Sequence, residues 1–317
     1  MSTPNELRTA VIGVGYLGNF HAQKYAAMPN VKLVGVADND PTRVGEIATA
    51  LETTPYSDYR ELIGKVDAVS VVVPTQRHHA VARDFLLAGV HVLIEKPITV
   101  TIEEADDLIA IAEEKNVVFQ VGHLERFNPV LLALDGILRE PLFIESVRIA
   151  PFKPRGTDVN VVLDLMIHDI DIIQHIVKSP VERIDAIGAP VFTGEEDIAN
   201  ARILFENGCV ANVTASRISL KSERKMRIFQ RNAYITLDFQ NRKVLIAQKG
   251  SGELFPGVPN VKVDERELGQ ADALRNEIES FITAIREGKQ PQVSGRDGRM
   301  ALETALKINT SLGRRPS

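Results

Sequence analysis

The segment pattern predicts an α/β chain in two parts: a doubly wound parallel sheet, then an α+β domain with an open, mostly antiparallel sheet. Three observations carry the prediction. Apolar, β-branched runs alternate with helical stretches over the first 120 residues or so, as parallel strands joined by helical crossovers require. A glycine pattern, Gly13-Val14-Gly15-Tyr16-Leu17-Gly18, stands between the first such run and the first helical stretch. After Gly122 the alternation stops, and strand-like runs follow one another with turn signals between them.

Composition bounds the function. The chain has 317 residues, 44% hydrophobic and 25% charged, which is ordinary for a soluble protein of two domains. Its net charge of −5 offers no footprint for nucleic acid or an anionic membrane. The longest apolar stretches, such as residues 68–73, are too short to span a bilayer, and the first ten residues lack the apolar core of a signal peptide. Cys209 is the only cysteine, so an intrachain disulfide and a cysteine-based metal cage are excluded. The expected location is the cytoplasm.

Residues 8–12 read as a strand leading into the glycine pattern, and residues 19–28 as the helix that leaves it. Without side chains at Gly13 and Gly15, the backbone can turn tightly and approach a pyrophosphate. Beyond Tyr16, Leu17 and Gly18, the helix start adds unpaired N–H groups and a positive dipole end. A second strand, residues 31–37, ends at Asp38, twenty residues past Gly18. A carboxylate there is placed to bind the adenosine ribose of a dinucleotide, the mark of a Rossmann domain. It would repel the 2′-phosphate of NADP, so NAD is the expected cofactor, although Arg43 could bend back toward that phosphate.

The alternation continues through a helix at residues 42–52, a strand at 66–73, a loop Pro74-Thr75-Gln76-Arg77-His78 and a helix at 79–87. A strand at residues 90–94 then ends in Glu95-Lys96-Pro97, because proline cannot donate to a ladder. This puts an acid and an amine at the carboxyl end of a strand, where open α/β sheets bind ligands; the bland reading is a solvated charge pair. A helix at 102–115 and a strand at 117–121 complete a first domain, residues 1–122.

The second domain, residues 123–317, opens with the polar junction Gly122-His123-Leu124-Glu125-Arg126-Phe127-Asn128-Pro129, then a helix at 130–139. Strands are expected at residues 143–149, 181–188, 198–206, 209–216, 225–230, 234–238 and 243–248. Hairpin signals stand at Asn207-Gly208 and Arg231-Asn232. Helices at 268–287 and 299–312 close the chain and are free to pack back on the first domain. Residues 161–175 form a helix that is apolar nearly all round and therefore buried. Asp164, His168, Asp171 and His175 recur on it at helical spacing, one stripe of charge in an apolar surround. Three readings are open: an Asp164–His168 pair that holds the helix, a metal site, or a catalytic acid/base pair. No signature such as H-E-x-x-H supports the metal, and none is expected.

Taken together, the glycine pattern, the Val73-to-His78 loop, Glu95-Lys96-Pro97 and Asp164-x-x-x-His168 resemble the Gfo/Idh/MocA family of sugar and cyclitol dehydrogenases over essentially the whole chain. The resemblance implies a substrate held between two domains, with Lys96 and His168 at the reacting carbon and Asp164 close by. It also implies cofactor contacts from the glycine loop, Asp38, Pro74, Thr75, His78, Glu95 and Lys96, and homodimers or homotetramers. Within the family, the junction and the Asp164-to-Asp171 stretch resemble members that oxidise the 3-hydroxyl of UDP-N-acetylglucosamine. That narrower resemblance assigns His123, Arg126, Asn128 and Arg155 to the substrate, with an interdomain salt bridge as the other reading of Arg126. A nucleotide-sugar or sugar is thus the expected partner. Inositol or simple sugar oxidation, and a non-catalytic NAD-binding regulator, are the rival functions; either Lys96 or His168 can be the base.

Overall fold

The computed structural model describes residues 6–134, 136–153 and 159–313, in two compact units. The first comprises Met1–Leu124 and Asp272–Arg299, the second Glu125–Ala271 and Met300–Ser317. Among the described residues no helix is long and apolar enough to cross a membrane.

Six parallel strands build the first unit: β1 Leu7–Ile12, β2 Val31–Ala37, β3 Thr54–Tyr56, β4 Ala68–Val71, β5 His91–Glu95 and β6 Phe119–Gly122. Their order, β3-β2-β1-β4-β5-β6, reverses direction between β1 and β4. That is where a doubly wound sheet opens a crevice at its carboxyl edge. The crossovers contain α1 Tyr16–Ala27, α2 Pro41–Ala50, α3 His78–Leu87 and α4 Ile102–Lys115. Local chemistry sets the ends of two of them. Asp40 accepts from the Thr42 and Arg43 N–H groups ahead of Pro41, and Thr101 and Glu104 form a reciprocal capping box on α4. Helix α7, Ala273–Glu287, belongs to this unit. Its Ile278, Phe281 and Ile282 are buried with Val11, Val36 and Tyr25.

The second unit is an eight-stranded sheet in the order β14-β13-β12-β11-β7-β10-β9-β8. The strands are β7 Pro141–Ile149, β8 Val181–Ala189, β9 Ile198–Phe205, β10 Val210–Ser216, β11 Glu223–Gln230, β12 Ala233–Asp238, β13 Lys243–Phe255 and β14 Val258–Glu267. The β7–β10 pair is parallel and the remaining neighbours are antiparallel. A core of Ile144, Ile203, Met226 and Ile235 from the sheet includes Ile170 and Ile173 of α6 (Ile167–Val177) and Ala305 and Ile308 of α8 (Gly295–Leu312).

Several elements depart from expectation. The helix expected at 130–139 shrinks to α5, Pro129–Leu132, because the chain turns through positive φ (+74°) at Gly136. The 243–248 strand runs on to Phe255 and pairs with β14, which the sequence does not announce. β14 is exposed along nearly its whole length, so backbone pairing holds it and no apolar alternation marks it. Strand β3 is a three-residue edge with Pro55 at its centre, tolerated there because an edge needs fewer donors. The helix expected at 161–175 begins as a π-helical segment, Val162–Met166, and becomes α-helical only from Ile167.

Candidate active site

At the end of β1 the chain enters the glycine loop. Gly13 has φ +87°, and a Cβ there would lie 2.5 Å from the Val72 carbonyl oxygen. A Cβ on Gly18 would run into the Gly13 carbonyl. Both glycines are therefore required by packing. Gly15 differs: nothing lies within 4 Å of its would-be Cβ, so the loop is open on the side where an anion would approach. Gly15 is the N-cap of α1, no side chain caps that terminus, and its first turn contains no acid. Bare N–H groups and a positive dipole end in a glycine cradle suit a pyrophosphate. Beside the loop lies a cavity of about 770 Å³ along the carboxyl edge, lined among others by Gly15, Asp38, Tyr59 and Pro74. The NAD moiety expected from the sequence fits this donor set. Tyr16 is largely exposed, its ring edge-on to Phe20, and Leu17 is also exposed.

Asp38, at the end of β2, is nearly buried and accepts four protein hydrogen bonds. The N–H groups of Val14 (2.8 Å) and Asp40 (3.0 Å) donate to it, as do Arg43 Nη2 (2.9 Å) and Nε (3.3 Å). Burial would raise its pKa, but the Arg43 hydrogen bond and the two backbone donors hold it below the usual carboxylate range. Arg43 does bend back, onto Asp38 itself. Thr75 starts a single 3-10 turn after Pro74. His78 is buried, its Nδ1 2.9 Å from the Pro97 carbonyl and its Nε2 2.9 Å from that of Val73. It ties the loop after β4 to the loop after β5, and burial lowers its pKa. It is thereby a fastener for the loop containing Pro74 and Thr75.

Strand β5 ends at Glu95, and the Lys96–Pro97 peptide is cis. Glu95 Oε1 lies 3.1 Å from His21 Nε2, and its Oε2 accepts from the Lys96 N–H at 3.3 Å. Burial works to raise the Glu95 pKa, but the hydrogen bond to His21, with the charges of His21 and Lys96, holds it low. Glu95 therefore supports the backbone of Lys96 from beneath. His123, just past β6, is buried. Lys96 itself is half-buried at the strand exit.

In the second unit, the four residues of the predicted stripe occupy different surroundings. Asp171 is buried and paired with Arg126 at 3.2 Å. His175 is exposed, and Asp164 and His168 are half-buried. Asp164 lies in the π segment, and such wide turns within α-helices are frequent at functional sites. The junction residues have structural work. Arg126 is buried against Asp171, and Asn128 caps α5 while donating to Glu125 at 3.0 Å. Arg148, buried on β7, bridges Glu125 (3.0 Å) and Asp169 (2.7 Å). Burial opposes its charge, but the two carboxylates together raise its pKa. Arg155 lies outside the described residues. Sequence reasoning missed His21, Glu277 and Arg148. A usable signal existed for Glu277, which interrupts the apolar stripe Leu274–Ile278–Phe281 of α7.

Profiles of known families match both units. The oxidoreductase family with an NAD-binding Rossmann fold, GFO_IDH_MocA, covers residues 7–123, and the GFO/IDH/MocA C-terminal domain covers residues 151–236. The chain belongs to the Gfo/Idh/MocA oxidoreductase family. UDP-N-acetylglucosamine 3-dehydrogenase of Acidithiobacillus ferrooxidans is 41% identical over 307 residues, 96% of this chain and 97% of that protein. A solved structure of the same enzyme matches with a TM-score of 0.91, covering 96% of this chain and 97% of that one. The scyllo-inositol 2-dehydrogenase (NAD(+)) of Bacillus subtilis is 26% identical over 330 residues, 97% of this chain and 94% of that protein. This member is an NAD-dependent dehydrogenase whose family acts on alcohol groups of sugars and cyclitols.

Proposed function

We propose that the enzyme oxidises the 3-hydroxyl of UDP-N-acetylglucosamine, or a closely related UDP-N-acetylhexosamine, to the ketone. The observation that carries this reading is 41% identity to a UDP-N-acetylglucosamine 3-dehydrogenase along almost the entire length of both chains, against 26% to the inositol enzyme. NAD, when bound, supplies the hydride acceptor. The protein's part is to bind, orient and move a proton. Lys96 and His168 are the two groups able to take the hydroxyl proton or to donate a hydrogen bond to the developing carbonyl. A correctly placed base of this kind is worth about 10²–10⁴-fold in rate. Asp164 acts on His168 by orienting its ring.

The enzyme is further assigned to the cytoplasm as a homodimer or homotetramer. A lone, buried, reduced Cys209 is consistent with the compartment, and exposed Val261 and Val263 on the edge strand β14 with the assembly. Absorbance of reduced nicotinamide with UDP-N-acetylglucosamine, UDP-N-acetylgalactosamine, free N-acetylglucosamine and myo-inositol tests the substrate. Turnover is expected with the UDP-sugars; turnover with myo-inositol alone would sink the reading. Lys96→Met and His168→Ala test the roles, and near wild-type kcat in both would remove them. Sedimentation velocity decides the assembly.

A further inference from the structure

Beneath the Lys96 turn, the first unit buries a set of polar groups in its core. His21 on α1, Glu95 on β5 and Glu277 on α7 each bring one ligand atom within 4.8 Å of the others. His21 is fully buried and both of its ring nitrogens are engaged: Nε2 lies 3.1 Å from Glu95, and Nδ1 3.1 Å from the Ser70 hydroxyl. Tyr25 OH lies 2.8 Å from the same Ser70 oxygen. Glu95 is boxed in further, since a Cβ on Gly122 would lie 3.0 Å from its carboxylate. Glu277 is the exception. It is fully buried, and neither carboxylate oxygen has a hydrogen-bond partner among the described residues.

A second bare carboxylate beside Glu95 would be costly, because burial and like charge both act against it. A cation could relieve that cost, but the ring nitrogen of His21 nearest the acids is already turned to Glu95. A proton is the simpler remedy.

We propose that Glu277 carries a proton in the folded enzyme and, by a side-chain shift of its unbonded carboxyl within the 4.8 Å cluster, hydrogen-bonds Glu95 as a one-proton carboxyl pair which, held by His21, positions the Glu95–Lys96 turn. The pair lies within the first unit. Its role as a positioning device for Lys96 rests on the proposed catalytic function; the protonation of Glu277 does not. The charged and titratable groups around Glu277 are His21 and Tyr25 from α1 and Glu95 from β5, with Lys96 next in the chain. Gln120 on β6 contributes an amide N–H to the Glu277 carbonyl oxygen at 3.1 Å. Burial first, and then the Glu95 charge, raise the Glu277 pKa well above the ordinary carboxylate range.

Difference infrared spectra of wild type and Glu277→Gln at neutral pH decide the proton without any substrate. The carbonyl stretch of a protonated carboxylic acid, present in wild type and missing in the variant, is the expected result; only carboxylate bands in the difference would overturn the pair. A stoichiometric metal in the purified enzyme would overturn it as well. Positioning is read from the oxidation of UDP-N-acetylglucosamine with NAD across pH. Glu277→Leu, which cannot donate to Glu95, is expected to lower kcat about ten- to a hundredfold, with the KM for NAD within about twofold. Glu277→Gln, which keeps a donor and cannot ionise, is expected to restore most of that loss and to carry its plateau to higher pH than wild type. Equal kcat in the two variants would overturn the positioning role. Should Glu277→Leu fail to fold, the alkaline limb of Glu277→Gln decides alone: a limb coincident with wild type would overturn it. If wild type leaves UDP-N-acetylglucosamine untouched, the substrate assignment fails while the infrared result still settles the proton.

Discussion

Gly13 and Asp38 are the single residues on which the proposed cofactor site leans most. At φ +87° an alanine in place of Gly13 is strained, and its Cβ meets the Val72 carbonyl. Gly13→Ala is expected to cost about 1–3 kcal/mol and to weaken NAD binding. Thermal melting and a fluorescence titration with NAD check this, and a variant matching wild type in both would show that the loop relaxes freely. At Asp38, removing the carboxylate takes away a repulsion toward a 2′-phosphate and releases Arg43 from its ion pair. Asp38→Ala is expected to move the kcat/KM ratio of NADP over NAD upward by about tenfold or more, about 1.4 kcal/mol. An unchanged ratio would mean that the adenosine end binds away from Asp38.

At the level of elements, a buried ion network joins β7, α6 and the residues before α5. Arg148 stands between Glu125 and Asp169, so truncating it leaves two buried carboxylates without their shared cation. Breaking a buried pair this way costs about 3–5 kcal/mol, and Arg148→Met is expected to lose that much in urea unfolding at pH 7. The pH dependence has a definite sign. Burial pushes the Glu125 pKa up, but the Arg148 charge and hydrogen bond, joined by the Arg224 charge and the Asn128 hydrogen bond, outweigh it and hold the carboxyl below its ordinary 4.5. A depressed carboxyl stabilises the fold above its unfolded value, and that contribution fades as pH falls through the folded value. The deficit of Arg148→Met should therefore be largest at neutral pH and shrink below about 4.5. A deficit independent of pH would show that packing, and not charge, is what Arg148 contributes.

For the molecule as a whole, the first unit is discontinuous in sequence. Residues 272–299 return to it after the entire second sheet, and Ile278, Phe281 and Ile282 are core residues. Losing three such side chains removes about 5–8 kcal/mol of burial, comparable with the whole stability of a domain. A chain ending at Ala271 is accordingly expected to lose protection of residues 7–124 in limited proteolysis and to lose NAD binding. Retention of both would place the folding boundary elsewhere.

What could be read directly from the chain was whatever depends on near neighbours. The glycine loop, the carboxylate twenty residues on, the strand stop at Pro97 and the hairpin at Asn207-Gly208 all express backbone and side-chain preferences within a few residues, or within one βαβ unit. The same locality made the parallel and antiparallel halves distinguishable. Tertiary structure alone decided the roles of buried charge. Arg126 meets Asp171 across 45 positions, Arg148 meets Glu125 across 23, and Glu277 comes to Glu95 from 182 positions away. Spacing on a helix put Asp164, His168, Asp171 and His175 on one stripe, yet the π segment and the Arg126 contact gave them separate surroundings. The physical reason is common to all these cases. A polar residue in an apolar run announces that it needs a partner, but the partner is supplied by whichever element the fold brings against it.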